Sequence, residues 1–101
     1  MIVKTETREV LNAEAFIELQ YRPPVAFVKA HATKVAFESK FASVLVKLGE
    51  NNTFVRILRF QTPDIYQSYL DSLSEIAAEA AVVETELNAI MSAATSVVET
   101  I

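Results

Sequence analysis

Apolar side chains in the second half of the chain fall at Tyr66, Tyr69, Leu73, Ile76, Ala80, Val83, Leu87, Ile90, Ala94, Val97 and Ile101. The spacing alternates between three and four residues, which is a heptad stripe and predicts one amphipathic helix. Thr62-Pro63-Asp64 supplies its start: a hydroxyl N-cap, a proline at the first helical position and an acid in the first turn. Neither Gly nor Pro interrupts the chain from there to Ile101, so the predicted helix is about 57 Å long, more than a small domain can cover.

The first half carries shorter patterns. Residues 53–60 (TFVRILRF) are rich in β-branched and aromatic side chains and predict a strand. Residues 9–17 alternate, with Leu11, Ala13, Ala15 and Ile17 on one face, and predict another. Pro23-Pro24 marks a helix start, with the helix running from Val25 to about Thr33. The stretch 34–48 fits both periods. As a helix it places Phe37, Phe41, Val44, Leu45 and Leu48 on one face and ends at Gly49; as a strand it alternates Val35, Phe37, Phe41 and Leu45 with Lys34, Glu38 and Lys40.

Composition bounds the chemistry. The 101 residues suffice for one modest core, and 51% apolar with 22% charged residues is a globular balance. A single glycine (Gly49) excludes glycine-rich phosphate loops, and the absence of Cys with only one His (His31) excludes disulfides, thiolate chemistry and Cys/His zinc clusters. The opening MIVKTETREV lacks the layout of a signal peptide and no long uncharged apolar run exists, so a cytoplasmic protein without membrane contact is expected.

Charge divides the chain. All nine Lys and Arg lie at or before Arg59, while residues 60–101 hold seven acids and no base. No basic cluster forms, so nucleic acid is not an expected partner. His31 falls within the helix that follows Pro24, without a second His or a carboxylate at metal-ligand spacing, and reads as a structural residue; no metal and no cofactor are expected.

The segment Leu19-Gln20-Tyr21-Arg22-Pro23-Pro24-Val25-Ala26-Phe27-Val28-Lys29-Ala30 resembles the active loop and first helix of the histidine-containing phosphocarrier (HPr) family of sugar phosphotransferase systems. Ala42-Ser43-Val44-Leu45-Val46-Lys47-Leu48 resembles that family's regulatory serine and short second helix, and residues 52–73 its last strand and helix. The resemblance implies an α+β fold, an HPr-like open-faced β-sandwich with helices on one side of an antiparallel sheet, with a short strand or two near 35–41 and a helix from Ser43. It divides the chain into a head over 1–76 and a long helical extension over 77–101.

The family's phosphoryl-accepting histidine falls on Gln20, whose amide nitrogen is not nucleophilic, and Pro24 removes a backbone N–H from the loop while Arg22 is retained. The resemblance therefore implies a non-enzymatic regulatory protein, similar to the catabolite-repression HPr paralogue. It would be signalled through Ser43 and would dock a kinase or transcriptional regulator on Gln20, Arg22, Pro24, Phe27, Val44, Lys47 and Leu48. The alternative is a structural assembly protein, an α+β head on a helical bundle. In either reading Ile76, Val83, Leu87, Ile90 and Val97 line a seam between copies, making a homo-oligomer.

Overall fold

The structure, a computed structural model, describes residues 1–101. Its elements run β1 (Ile2–Glu9), α1 (Ala13–Tyr21), α2 (Val25–Ser39), β2 (Ser43–Leu48), β3 (Thr53–Phe60), α3 (Pro63–Ser72), a 3₁₀ turn (Leu73–Ile76), α4 (Ala77–Asn88) and β4 (Thr95–Thr100). The four strands form one antiparallel sheet in the order β2-β3-β1-β4. The helices pack against one face of it, and the β-α-β-β-α-β sequence with this strand order is the ferredoxin-like arrangement.

Three expectations are met locally. Residues 53–60 are a strand, Val25 begins a helix after Pro24, and Thr62 caps α3 by accepting the Ile65 N–H at 3.1 Å ahead of Pro63. Three others are corrected. The alternation over 9–17 is helix from Ala13, because the Asn12 side chain accepts the Ala15 N–H at 3.0 Å and so caps a segment rich in Ala and Glu. Residues 34–39 continue α2, and Ser43–Leu48 is a strand, the reverse of what the HPr resemblance implied. The long helix also does not exist. It turns through the 3₁₀ segment after Ser72, stops at Asn88 and gives way to β4, whose Thr95, Val97, Val98 and Thr100 are β-branched. β4 pairs with β1 from Ile2↔Thr100 to Thr7↔Thr95, so residues 95–100 belong to the central sheet and do not extend from a head.

A further strand, β1, is one that apolar patterning does not reveal. Its helix-facing positions are Ile2, Lys4, Glu6 and Arg8, three of them charged. Opposite them on β3 stand Phe60, Leu58, Arg56 and Phe54. The space between sheet and helices is thus layered. Ile2, Phe37, Leu58, Phe60, Tyr69 and Ile76 form an apolar core at one end, and Phe16, Ile90 and Met91 form a smaller one at the other. Charged side chains lie between them. The β2–β3 turn places Asn51 and Asn52 at φ 57° and 58°, a left-handed conformation that Asn tolerates better than other residues bearing a side chain.

Candidate functional site

The helix-facing layer contains a cavity of about 600 Å³, a volume typical of small-molecule sites. Helical spacing builds one wall: Phe27, His31, Lys34, Val35 and Glu38 recur every three or four residues and so share a face of α2. α1 contributes Phe16, Leu19 and Gln20; β2 contributes Val46; β3 contributes Phe54 and Arg56; α4 contributes Val83 and Leu87, with Met91 just beyond it. Phe16 meets Phe54 edge to face at 5.8 Å between centroids, and the Phe27 ring stacks on His31 at 5.4 Å. Most of the lining is apolar, and the polar groups gather on one side.

That side is held by ion pairs. The Arg56 guanidinium donates to the Glu6 carboxylate at 3.2 Å and to Glu38, which is fully buried. Lys4 lies 3.6 Å from Glu6. Arg8, also buried, donates to Glu84 at 2.7 Å, to the Asn88 amide oxygen at 3.0 Å and to the Ser92 carbonyl at 3.1 Å. Every buried polar side-chain atom has a partner. Lys34 is different: half-buried and lining the cavity, it makes neither an ion pair nor a hydrogen bond.

These surroundings tune the titratable groups. Burial, reinforced by the positive charges of Arg56 and Lys34, lowers the His31 pKa from its ordinary 6.5, which favours the uncharged imidazole with its free lone pair. Burial, then Arg56, lowers the Lys34 pKa as well. For Arg56, burial opposes the charge, but the hydrogen bond and charge of Glu38 outweigh it and the net shift is upward. The cavity therefore offers an imidazole base one helical turn from an unpaired cation. No three His, Asp or Glu side chains converge as a metal ion would require.

Of the residues predicted from sequence, Gln20 and Phe27 line this cavity, while Arg22 and Pro24 are exposed beside its rim in the α1–α2 connection. Ser43 is the exposed first residue of β2, so no helix dipole favours a phosphate there; Val44, Lys47 and Leu48 share that strand. Ile76, Val83 and Ile90 are buried within the chain, Leu87 is half-buried against the smaller core, and Val97 is exposed on β4. His31, which sequence reasoning read as structural, and Lys34, Glu38 and Arg56, which it left without a role, form the polar side. Their signal was the spacing His31–Lys34–Glu38 in register with Phe27.

No protein-family model matches the sequence, and no curated protein matches it significantly. Solved structures do share its fold. SnoaB, a cofactor-independent oxygenase from Streptomyces nogalater, is 17% identical, with 99% of this chain and 91% of that one covered and a TM-score of 0.55. An uncharacterized NIPSNAP domain protein from Burkholderia xenovorans is 11% identical, with 100% and 94% covered and a TM-score of 0.62. An antibiotic biosynthesis monooxygenase is 12% identical, with 98% and 97% covered and a TM-score of 0.55. At such identities the likeness is one of fold.

That likeness, with the strand order above, overturns the HPr resemblance and its open-faced β-sandwich. The non-enzymatic regulator of a phosphotransferase system falls with it, because only that resemblance implied it. The alternative of a head on a helical bundle falls with the missing long helix. No helix is long and apolar enough to cross a membrane.

Proposed function

We propose that the chain is an enzyme of the oxygenase type. It takes a compact, mostly apolar substrate into the cavity between the helices and the sheet, and His31 removes a proton from it. Dioxygen reacts slowly with neutral closed-shell molecules, but a carbanion or enolate can supply it with electrons directly. The observation that carries the reading is His31, stacked on Phe27 and lining an apolar cavity at its polar side. The kinship of fold with an oxygenase that is cofactor-independent supports it.

For a methylene acidified by flanking aryl groups, the overall change converts one methylene and one dioxygen into one carbonyl and one water. The carbon gives up four electrons, one oxygen atom stays on it, and the other leaves with the two hydrogens. His31 accepts the first proton, and the stack of Phe27 on its ring fixes the imidazole's orientation. Phe16 and Phe54 offer an aromatic substrate further ring surfaces.

The test uses 9-anthrone as the probe, with an oxygen electrode and ¹⁸O₂. Anthraquinone carrying one ¹⁸O atom should form faster than in buffer, and His31→Gln should return the rate to the background of spontaneous oxidation. Equal rates with and without the protein would overturn the proposal.

A further inference from the structure

The charged layer beside the cavity is unbalanced. Four cations, Lys4, Arg8, Lys34 and Arg56, share it with three carboxylates, Glu6, Glu38 and Glu84. Each carboxylate is already engaged: Glu6 by Lys4 and Arg56, Glu38 by Arg56, and Glu84 by Arg8. The ammonium left over is Lys34, and it borders the cavity. A half-buried, unpaired ammonium is an unfavourable arrangement in an empty protein, and a ligand bearing one negative charge corrects it. The rest of the lining favours rings over chains: Phe16, Phe27 and Phe54 present aromatic surfaces around the same space.

We infer that the cavity selects aromatic molecules bearing a single anionic group, a carboxylate or an acidic phenolate, which Lys34 pairs with while the rings lie against the phenylalanines. This rests on the reading of the cavity as a substrate site and names the substrate class. Lys34 and His31 are three residues apart on one face of α2, so the anionic group and the acidic hydrogen would lie on the same edge of the molecule. Arg56 is a weaker candidate for the anion because Glu6 and Glu38 already occupy its guanidinium.

Titration calorimetry at pH 7 tests this with three two-ring probes of one shape: 2-naphthoate, 2-naphthalenemethanol and 2-naphthylmethylammonium. The anion should bind at least about tenfold more tightly than the alcohol, which is about 1.4 kcal/mol, and the ammonium should not bind. Lys34→Met should bring the anion and the alcohol to similar affinity, and Lys34→Arg should keep the preference. The lone histidine gives a second readout by proton NMR. The charges around it are Lys34 and Glu38 on its own helix and Arg56 on β3, with Glu6 on β1 and Glu84 on α4 behind them. Saturating naphthoate should raise the His31 pKa by cancelling the Lys34 charge, and the alcohol should leave it lower.

Equal affinity for the three probes, a preference that survives Lys34→Met, or an unmoved His31 titration would overturn the inference. Anion-selective binding without accelerated oxidation of an anthrone that bears a carboxylate would sustain it and refute the oxygenase reading. No binding of any probe would refute the aromatic-anion inference, whereas the anthrone experiment would still decide the oxygenase reading.

Discussion

Glu38, at the end of α2, and Arg56, at the centre of β3, form a buried ion pair that ties the helical layer to the sheet at the wall of the cavity. Both side chains are long, and both could have reached solvent from a protein this thin. They are instead turned inward, where Glu6 on β1 accepts from the second guanidinium nitrogen. One arginine thus joins two adjacent strands to the helix that carries His31 and Lys34, and so fixes the position of α2 relative to the cavity floor.

Breaking this pair on one side should cost more than removing it. Glu38→Leu leaves the Arg56 charge buried with Glu6 alone, and the expected loss of unfolding free energy is about 3 kcal/mol. Adding Arg56→Met to that variant should recover part of the loss, since an apolar pair has no charge to desolvate. Urea unfolding of both variants measures this. A double variant less stable than Glu38→Leu would show that the Arg56–Glu6 contact, not the pair with Glu38, dominates.

The His31 environment predicts a pH profile. Its pKa is lowered by burial and by Arg56 and Lys34, so activity that needs the neutral imidazole should rise with pH through an apparent pKa below 6.5 and be flat above pH 7. The same shift acts on stability. The folded state takes up the proton less readily than the unfolded one, so stability should begin to fall as pH drops below 6.5 and continue falling towards the folded-state pKa. His31→Gln should reduce turnover roughly a hundredfold or more and flatten both profiles. Thermal melts from pH 8 to pH 5, beside rates over the same range, read the two effects separately.

How much of this the sequence shows depends on whether a local rule and the tertiary environment agree. Thr62 and Asn12 are caps of the same kind, yet only Thr62 is legible, because Pro63 and Asp64 follow it while Asn12 sits in an alternation that mimics a strand. β1 escapes notice for a physical reason: its inward face carries Lys4, Glu6 and Arg8, and a strand built around a buried charge layer has no apolar period. In the heptad stripe, Tyr69, Ile76, Val83 and Ile90 do face inward, but around a bend: Tyr69 and Ile76 enter one core, Ile90 the other, and Val83 is buried at the cavity wall. The continuation through Ala94, Val97 and Ile101 keeps the spacing without the helix, and the β-branched run from Thr95 outweighs it once β1 offers an open edge.

The candidate site was half legible by the same measure. His31, Lys34 and Glu38 stand at helical spacing after Phe27, and that much is visible in the chain. Their meaning depends on Arg56 and Glu6, which arrive from strands 18 and 50 residues distant in sequence from their partners. No local pattern announces that the carboxylates will be consumed and the ammonium left free.

β4 supplies a sharper test of the sheet. Its six residues are exposed, yet they cover the edge of β1, and the termini meet through the Ile101 N–H donating to the Met1 carbonyl at 2.8 Å. Ending the chain after Ala94 should therefore uncover the β1 edge from Ile2 to Thr7, lowering the melting temperature and promoting aggregation. An isolated helical appendage would behave otherwise, since its removal would leave the remaining domain as stable as before. Calorimetry and light scattering on the truncated and full-length proteins distinguish the two outcomes.

Lys34 should be the residue whose loss stabilises the protein. Burial and Arg56 depress its pKa, so the folded state holds the ammonium proton less firmly than the unfolded chain does. At neutral pH that difference counts against folding, and Lys34→Met, which keeps the length of the side chain and removes the charge, should raise the melting temperature. The gain should shrink as pH rises towards the ordinary lysine value of 10.5, where the unfolded chain also loses the proton. A structural lysine would give the opposite result, because removing it would break contacts that here do not exist. A variant that melts higher yet no longer prefers naphthoate to its alcohol would link the two properties in one side chain: the charge that weakens the empty fold is the one that selects its ligand.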